Sequence, residues 1–244
     1  MAKVRCKKLF FEYKHKNILR DINLNIDDGQ IIGLIGPNGA EKTTLIKIIL
    51  GLIKKDQSLT LKYDDFVVNS KKVGFAPANN SFQRNISAKD ILFYQAFITK
   101  LNYQKANELI PKVLKYFDLT EHAHKSFAKF SSGVKKKFLL ALSLINDPDL
   151  LILDEPTANL DPETRKQVCE LIFKLHQRNP KITIIIASHI LSELESLINY
   201  VVILEKGQIL CSKNFNYQQE DLEKLYYDQL KKVQKEPEEK ELFF

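Results

Sequence analysis

The sequence predicts an α/β fold on a mainly parallel core sheet, interrupted by one helical block. Three observations carry this. The apolar strand Gln30-Ile-Ile-Gly-Leu-Ile35 runs into Gly36-Pro-Asn-Gly-Ala-Glu-Lys-Thr-Thr44, one residue short of the phosphate-binding pattern G-x-x-x-x-G-K-[ST], and an apolar helix over Thr44–Leu50 follows. Asp149-Leu-Leu-Ile-Leu-Asp154 and Lys181-Ile-Thr-Ile-Ile-Ile-Ala187 are short apolar runs of the kind found in strands buried on both faces. Between the loop and the first of these runs, residues 87–146 change to a helical pattern.

Taken in order, residues 3–12 and 18–26 read as strands, and Asp27-Asp28-Gly29 turns the chain into the strand before the loop. Leu59-Thr-Leu-Lys-Tyr63 and Lys72-Val-Gly-Phe-Ala76 are short strand-like runs. Ser87-Ala-Lys-Asp90 is a capping box that opens a helix over Ile91–Thr99. Asn102 precedes a helical stretch reaching Tyr116-Phe117, and Phe138–Ile145 reads as a third helix. After the strand at 149–154, Asp161-Pro162-Glu163 combines a capping acid, a proline at the first helical position and negative charge in the first turn. The strand at 181–187 leads to Ser188-His189 and a short helix. Val201–Leu204 and Gln208–Leu210 form a hairpin through Lys206-Gly207, residues 218–233 are helical, and Lys235–Glu241 is a loose charged tail.

Composition narrows the function. The chain has 244 residues, 44% hydrophobic and 10% aromatic, enough for a substantial core and against global disorder. A net charge of +7, from 37 basic and 30 acidic residues, suits nucleotide, a membrane surface or nucleic acid without choosing among them. The three scattered cysteines, Cys6, Cys169 and Cys211, make neither a disulfide framework nor a zinc spacing and point to a reducing compartment. No apolar run approaches the ~18 residues a membrane helix needs, and the charged start has no apolar segment behind it. The sequence therefore predicts a soluble chain.

The chemistry gathers at strand ends. Lys42 and Asp154 each follow a buried strand, and in an open parallel sheet such ends converge where ligands bind. In the loop, Gly36 opens the turn, Gly39 lets backbone approach phosphate, and Lys42 can reach the β/γ-phosphates. Thr43 and Asp154 together suit Mg²⁺, which takes a few hard oxygens plus phosphate. Glu155, next in line, would face an attacking water. On its own, Asp-Glu-Pro reads equally well as a polar strand exit; the loop upstream and His189 downstream favour function. His122 and His124 carry no supporting acid or cysteine and read as surface.

Leu151-Ile-Leu-Asp-Glu-Pro-Thr-Ala-Asn-Leu-Asp161 and Ile186-Ala-Ser-His-Ile-Leu-Ser-Glu-Leu-Glu195 resemble the Walker B/D-loop and switch-histidine segments of ABC ATPases. The resemblance runs from Leu9 to about Leu230 in the family's order. It implies a P-loop NTPase with a mainly parallel core sheet, an N-terminal antiparallel β subdomain and a helical subdomain inserted at about 86–147. Residues 1–234 would form a single cassette, with 235–244 as its tail. Within the family the wording is similar to single-cassette subunits of bacterial drug, peptide or lantibiotic-type exporters.

The resemblance also assigns roles and partners. Tyr13 would stack on adenine, although a tyrosine ending a strand is often plain packing. Gly36, Pro37, Asn38, Gly39, Ala40, Glu41, Lys42, Thr43 and Thr44 would wrap the phosphates of ATP. Thr43 and Asp154 would hold Mg²⁺, Glu155 would polarise water, and His189 would contact the γ-phosphate. Phe130-Ser131-Ser132-Gly133-Val134 takes the place of the Leu-Ser-Gly-Gly-Gln signature, which reaches ATP on an opposite subunit, while Ser131 or Ser132 could equally just cap the next helix. Asp161 would lie in the D-loop. The implied assembly is a homodimer or heterodimer of cassettes on a separate transmembrane permease, cytoplasmic and peripheral on the inner face of the membrane, with no nucleic acid. Non-transport relatives acting on DNA or ribosomes fit less well, since there is no second cassette and no long coiled coil between Lys42 and Asp154.

Three departures stand out. Glu41 replaces the last loop glycine, Ser132 a signature glycine, and Ala78 the glutamine expected after Val73–Pro77, with Asn79 and Gln83 as candidate stand-ins. Glu41 is expected to weaken nucleotide binding by repulsion, or to occupy the anion site itself as a phosphate mimic. An impaired, regulatory cassette is accordingly the alternative to an active ATPase.

Overall fold

The computed structural model describes residues 2–53, 58–83 and 85–234; the expected tail at 235–244 lies outside them. A six-stranded sheet forms the centre. Its strands are β3 (Ile31–Ile35), β6 (Val73–Ala76), β7 (Leu150–Asp154), β8 (Thr183–Ser188), β9 (Tyr200–Glu205) and β10 (Gln208–Asn214), in the spatial order β10-β9-β3-β8-β7-β6. All neighbours are parallel except the β9–β10 hairpin. β3, β7 and β8 are buried at every position, which explains their unbroken apolar runs.

Alternation along these strands divides the core in two. Ile31 and Ile35, Leu151 and Leu153, Ile184 and Ile186, and Val201 and Ile203 face a cluster built with the helices α2 (Ala88–Ile98), α3 (Tyr103–Tyr116), α4 (Ser132–Ser143) and α5 (Pro162–Arg178). Ile32 and Leu34, Leu150 and Ile152, Ile185 and Ala187, and Val202 and Leu204 face a second cluster. That one is completed by α1 (Lys42–Ile49) and by an antiparallel sheet of β1 (Ala2–Tyr13), β2 (Lys16–Asp27), β4 (Leu59–Lys62) and β5 (Asp65–Val68). The central sheet is thus covered on both faces. The antiparallel sheet is fastened to the hairpin turn where the Arg20 amide donates to the Gly207 carbonyl at 2.8 Å. Gly207 has φ +75°, and a Cβ there would lie 1.9 Å from the Ile18 carbonyl oxygen, so only glycine fits.

The expected caps are made. Ser87 accepts from the Asp90 amide at 3.2 Å and donates to its carboxylate at 2.6 Å, Asn102 caps α3 at the Gln104 amide, and Asp161 caps α5 at the Thr164 amide (2.9 Å). Other expectations need correction. α4 starts at Ser132 rather than Phe138, because Ser131 caps it through the Val134 amide at 3.3 Å. β5 was absent from the sequence pattern; its four residues are a strand because they pair with Val4–Lys7 of β1, a non-local partner. His122 is half-buried rather than on the surface: its ring packs edge-on to Phe130 at 5.4 Å and its Nδ1 is out of contact with solvent. His124 is exposed. A short helix, α6 (Leu191–Leu194), follows β8, and α7 (Leu222–Gln234) ends the described chain. No helix among the described residues is long and apolar enough to cross a membrane.

Candidate functional site

The order β3-β8-β7 places three loops side by side at the carboxyl edge of the sheet. Ile35 is level with Ser188, and Ala187 with Asp154. The Gly36–Thr44 loop, His189 and the Asp154-Glu155 pair are therefore neighbours although far apart in sequence. Thr43 Oγ1 donates to Asp154 Oδ2 at 3.0 Å. The Lys42 ammonium lies 3.6 Å from Glu155 Oε1 and donates to the carbonyls of Gly36 (2.7 Å) and Pro37 (3.1 Å). His189 Nδ1 lies 3.0 and 2.9 Å from the two carboxylate oxygens of Glu155. Proximity of these groups was the central expectation of the sequence, and the fold meets it.

Burial sets their electrostatics. Lys42 is only 6% exposed. Desolvation pulls its pKa below the usual lysine range, and the charges of Glu155 and Asp154 push it partly back. Asp154, 3% exposed, is raised by burial. The Thr43 hydroxyl bond lowers it, the Glu155 charge raises it, and Lys42 and Lys136 lower it. Asp154 Oδ1 is buried with no hydrogen-bond partner among the described residues. An orphaned carboxylate oxygen beside a threonine hydroxyl fits a hard divalent cation whose remaining ligands are water and phosphate.

The loop shows why glycine belongs where Glu41 stands. Glu41 has φ +77° and ψ +24°, the left-handed region that costs a non-glycine residue about 1–2 kcal/mol. The carboxylate does not act as a phosphate mimic: it makes no capping bond to the helix, and its Oε2 accepts the Thr44 hydroxyl at 2.7 Å. That turns it towards a cavity of ≈570 Å³ lined by Tyr13, Phe11, Ile18, Glu41, Thr44 and Leu59 among others. Tyr13, 42% exposed, presents its ring there. An aromatic and aliphatic wall continuous with a phosphate loop is suited to a purine base. Gly39, at φ +82°, has open space where a side chain would be.

Not every expected site residue joins this cluster. Ser131 and Ser132 are exposed at the start of α4, and Ser131 is engaged in capping. Gly133 packs against α5, where a Cβ would come within 2.6 Å of Thr164 Cγ2. No hydrogen bond among the described residues joins this segment to the Gly36–Thr44 loop. Asp161 caps α5, and the amide and side chain of Thr164 hold its carboxyl below the usual range. Asn79 and Gln83 are exposed.

Two features of the site belong to no sequence motif. Lys136 was only one of three lysines near a helix start, yet its ammonium donates to the carbonyls of Ala78 (2.7 Å) and Glu155 (2.6 Å). The clue was its spacing: Lys136, Leu140 and Ser143 share one helix face, and the latter two are buried. Arg165 pairs at 2.7 Å with the half-buried Glu193 and donates to the Leu160 carbonyl at 3.1 Å, linking the turn before α5 to the segment after His189.

A phosphate loop whose lysine and threonine face an Asp-Glu pair across a parallel sheet defines a P-loop nucleotide-binding protein. The family model described as "ABC transporter" matches residues 19–158. The bacitracin transport ATP-binding protein BcrA of Bacillus licheniformis is 36% identical over 211 residues, covering 84% of this chain and 67% of that protein. The lantibiotic transport ATP-binding protein SrtF of Streptococcus pyogenes is 33% identical over 229 residues, covering 93% and 97%. Among solved structures, cbiO1 of Clostridium perfringens, titled as part of the ABC transporter complex cbiONQ, aligns with a TM-score of 0.72 at 25% identity, covering 95% and 94%. The chain belongs to the ABC transporter family, as an ATP-binding subunit of the ATPase class. It spans about two thirds of the length of several curated relatives it matches.

Proposed function

We propose that this subunit binds ATP with Mg²⁺, hydrolyses it, and drives a separate transmembrane permease that exports a drug, peptide or similar compound. The observation that carries the reading is the meeting of Lys42, Thr43, Asp154, Glu155 and His189 at one sheet edge. Transport of a drug- or peptide-type compound is supported by the names of the bacitracin and lantibiotic transport relatives, and the outward direction is part of the proposal. On this reading residues 1–234 are one cassette at the inner face of the membrane, paired with a like or related cassette whose nucleotide receives Ser131 and Gly133.

The residues divide the work. Tyr13 carries the base, and the backbone of Gly36–Thr44 with Lys42 holds the phosphates. Thr43 and the free Oδ1 of Asp154 would hold Mg²⁺, which when bound neutralises charge on the β- and γ-phosphate oxygens. Glu155 orients the attacking water and accepts its hydrogen bond. His189, anchored through Nδ1 on Glu155, leaves its other ring nitrogen for the γ-phosphate. Glu41 lowers affinity by placing a carboxylate beside the phosphate site.

The test is phosphate release by the purified chain, compared with Glu155→Gln. That variant is expected to keep ATP affinity within about twofold and to lose roughly 100-fold or more in kcat, the usual scale for a positioned base. Turnover unchanged in Glu155→Gln would overturn the assignment.

A further inference from the structure

Lys136 sits on α4, immediately after the segment that would reach an opposing nucleotide, yet its ammonium is turned inward. It donates to the backbone carbonyls of Ala78, in the loop after β6, and of Glu155, at the end of β7. Three separate pieces of chain meet on one cation: the signature helix, the loop that lacks its expected glutamine, and the strand end carrying the Asp-Glu pair. The Glu155 backbone has φ +50°, a left-handed conformation that a non-glycine residue holds only when its surroundings fix it. Its amide donates to the Ala187 carbonyl at 2.9 Å on one side, and its carbonyl receives Lys136 on the other. Desolvation lowers the Lys136 pKa, and the nearby charges of Glu155 and Asp154 oppose that shift, so the ammonium belongs to the same electrostatic cluster as Lys42.

We propose that Lys136 is a positioning residue for the hydrolysis assigned above: by clamping the Glu155 and Ala78 carbonyls it holds Glu155 in its strained backbone conformation, aimed at His189, and ties that geometry to the signature helix. This rests on the ATPase reading. The side chain of Ala78 is too short to bridge these segments, and Lys136 supplies the bridge from the other side of the gap. Lysine suits the task because an ammonium carries three donors and can serve two carbonyls at once.

The test compares wild type with Lys136→Met, which keeps the apolar stem and removes the donor, and with Lys136→Arg, which keeps a charged donor. For Lys136→Met, kcat for ATP is expected to fall about 10- to 100-fold, the scale of an ångström-level misplacement. KM is expected to stay within about twofold of wild type. Lys136→Arg should recover most of the loss. Independently of turnover, amide exchange at Glu155 is expected to accelerate about tenfold or more in Lys136→Met while exchange at Ile152, inside β7, stays as in wild type. Unchanged exchange at Glu155 would overturn the clamp. Acceleration at both residues would also overturn it, by showing general loosening, and a KM rising in step with the loss of kcat would make Lys136 a nucleotide ligand instead. A wild-type chain that never turns over ATP would refute the ATPase reading, while the exchange comparison would still decide for or against the clamp.

Discussion

Replacing Glu41 with glycine is expected to tighten ATP binding about 10- to 100-fold. Two unit charges at about 4 Å repel by roughly 4 kcal/mol at an effective dielectric of 20. The neighbouring Lys42 and the bond from Thr44 Oγ1, which turns the carboxylate aside, cut this to about 1.5–3 kcal/mol. Stability should hardly move. Glycine relieves the left-handed backbone at φ +77°, worth about 1–2 kcal/mol. It also frees the unfolded chain, at about 0.5–1 kcal/mol, and loses the bond to Thr44, worth about 1 kcal/mol. Titration calorimetry with ATP at two salt concentrations, on wild type, Glu41→Gln and Glu41→Gly, separates charge from shape. If charge dominates, Glu41→Gln recovers most of the gain and the difference from wild type shrinks with salt. If the loop's conformation dominates, only glycine recovers it. Equal affinity in all three proteins would refute both the repulsion and the conformational argument.

Two further outcomes follow from the packing and the charges. Gly133→Ala is expected to cost about 1–3 kcal/mol in denaturant unfolding, since the new methyl meets Thr164 at 2.6 Å, and Thr164→Ser in the same chain should restore most of it. Burial alone would raise the Asp149 carboxyl, but the Ser70 hydroxyl, the Lys72 and Lys71 amides and the Lys3 ammonium hold it down to about 2. A folded pKa below the ordinary 3.8 gives stability that is present above about pH 5 and is lost as pH falls through about 2. At face value the difference is about 2.5 kcal/mol, and solvent screening of a side chain 41% exposed reduces it to about 1 kcal/mol. The unfolding free energies of wild type and Asp149→Asn should therefore differ by about 1 kcal/mol at pH 7 and converge near pH 2.

Much of this molecule is written locally. The runs at 31–35, 150–153 and 184–187 read as strands because short, near-continuous apolar runs suit strands buried on both faces. Ser87, Asn102 and Asp161 announce their helices because a cap is a contact between residues two or three apart. The loop lysine and threonine and the Asp-Glu pair were legible for the same reason, as short motifs at strand ends.

What the chain could not announce depends on partners distant in sequence. β5 exists through its pairing with β1; the early start of α4 is by contrast a local contact, the Ser131 cap on the Val134 amide. The Glu41 carboxylate reaches Thr44, only three residues on, from a left-handed backbone that no local pattern announces. The meeting of Glu155 with His189, and of Lys136 with the carbonyls of Ala78 and Glu155, follows from the strand order β3-β8-β7-β6, set when apolar faces on both sides of one sheet are buried together. Sequence supplied the chemical groups and the elements that carry them. The distances at which they act come from the packing of that sheet.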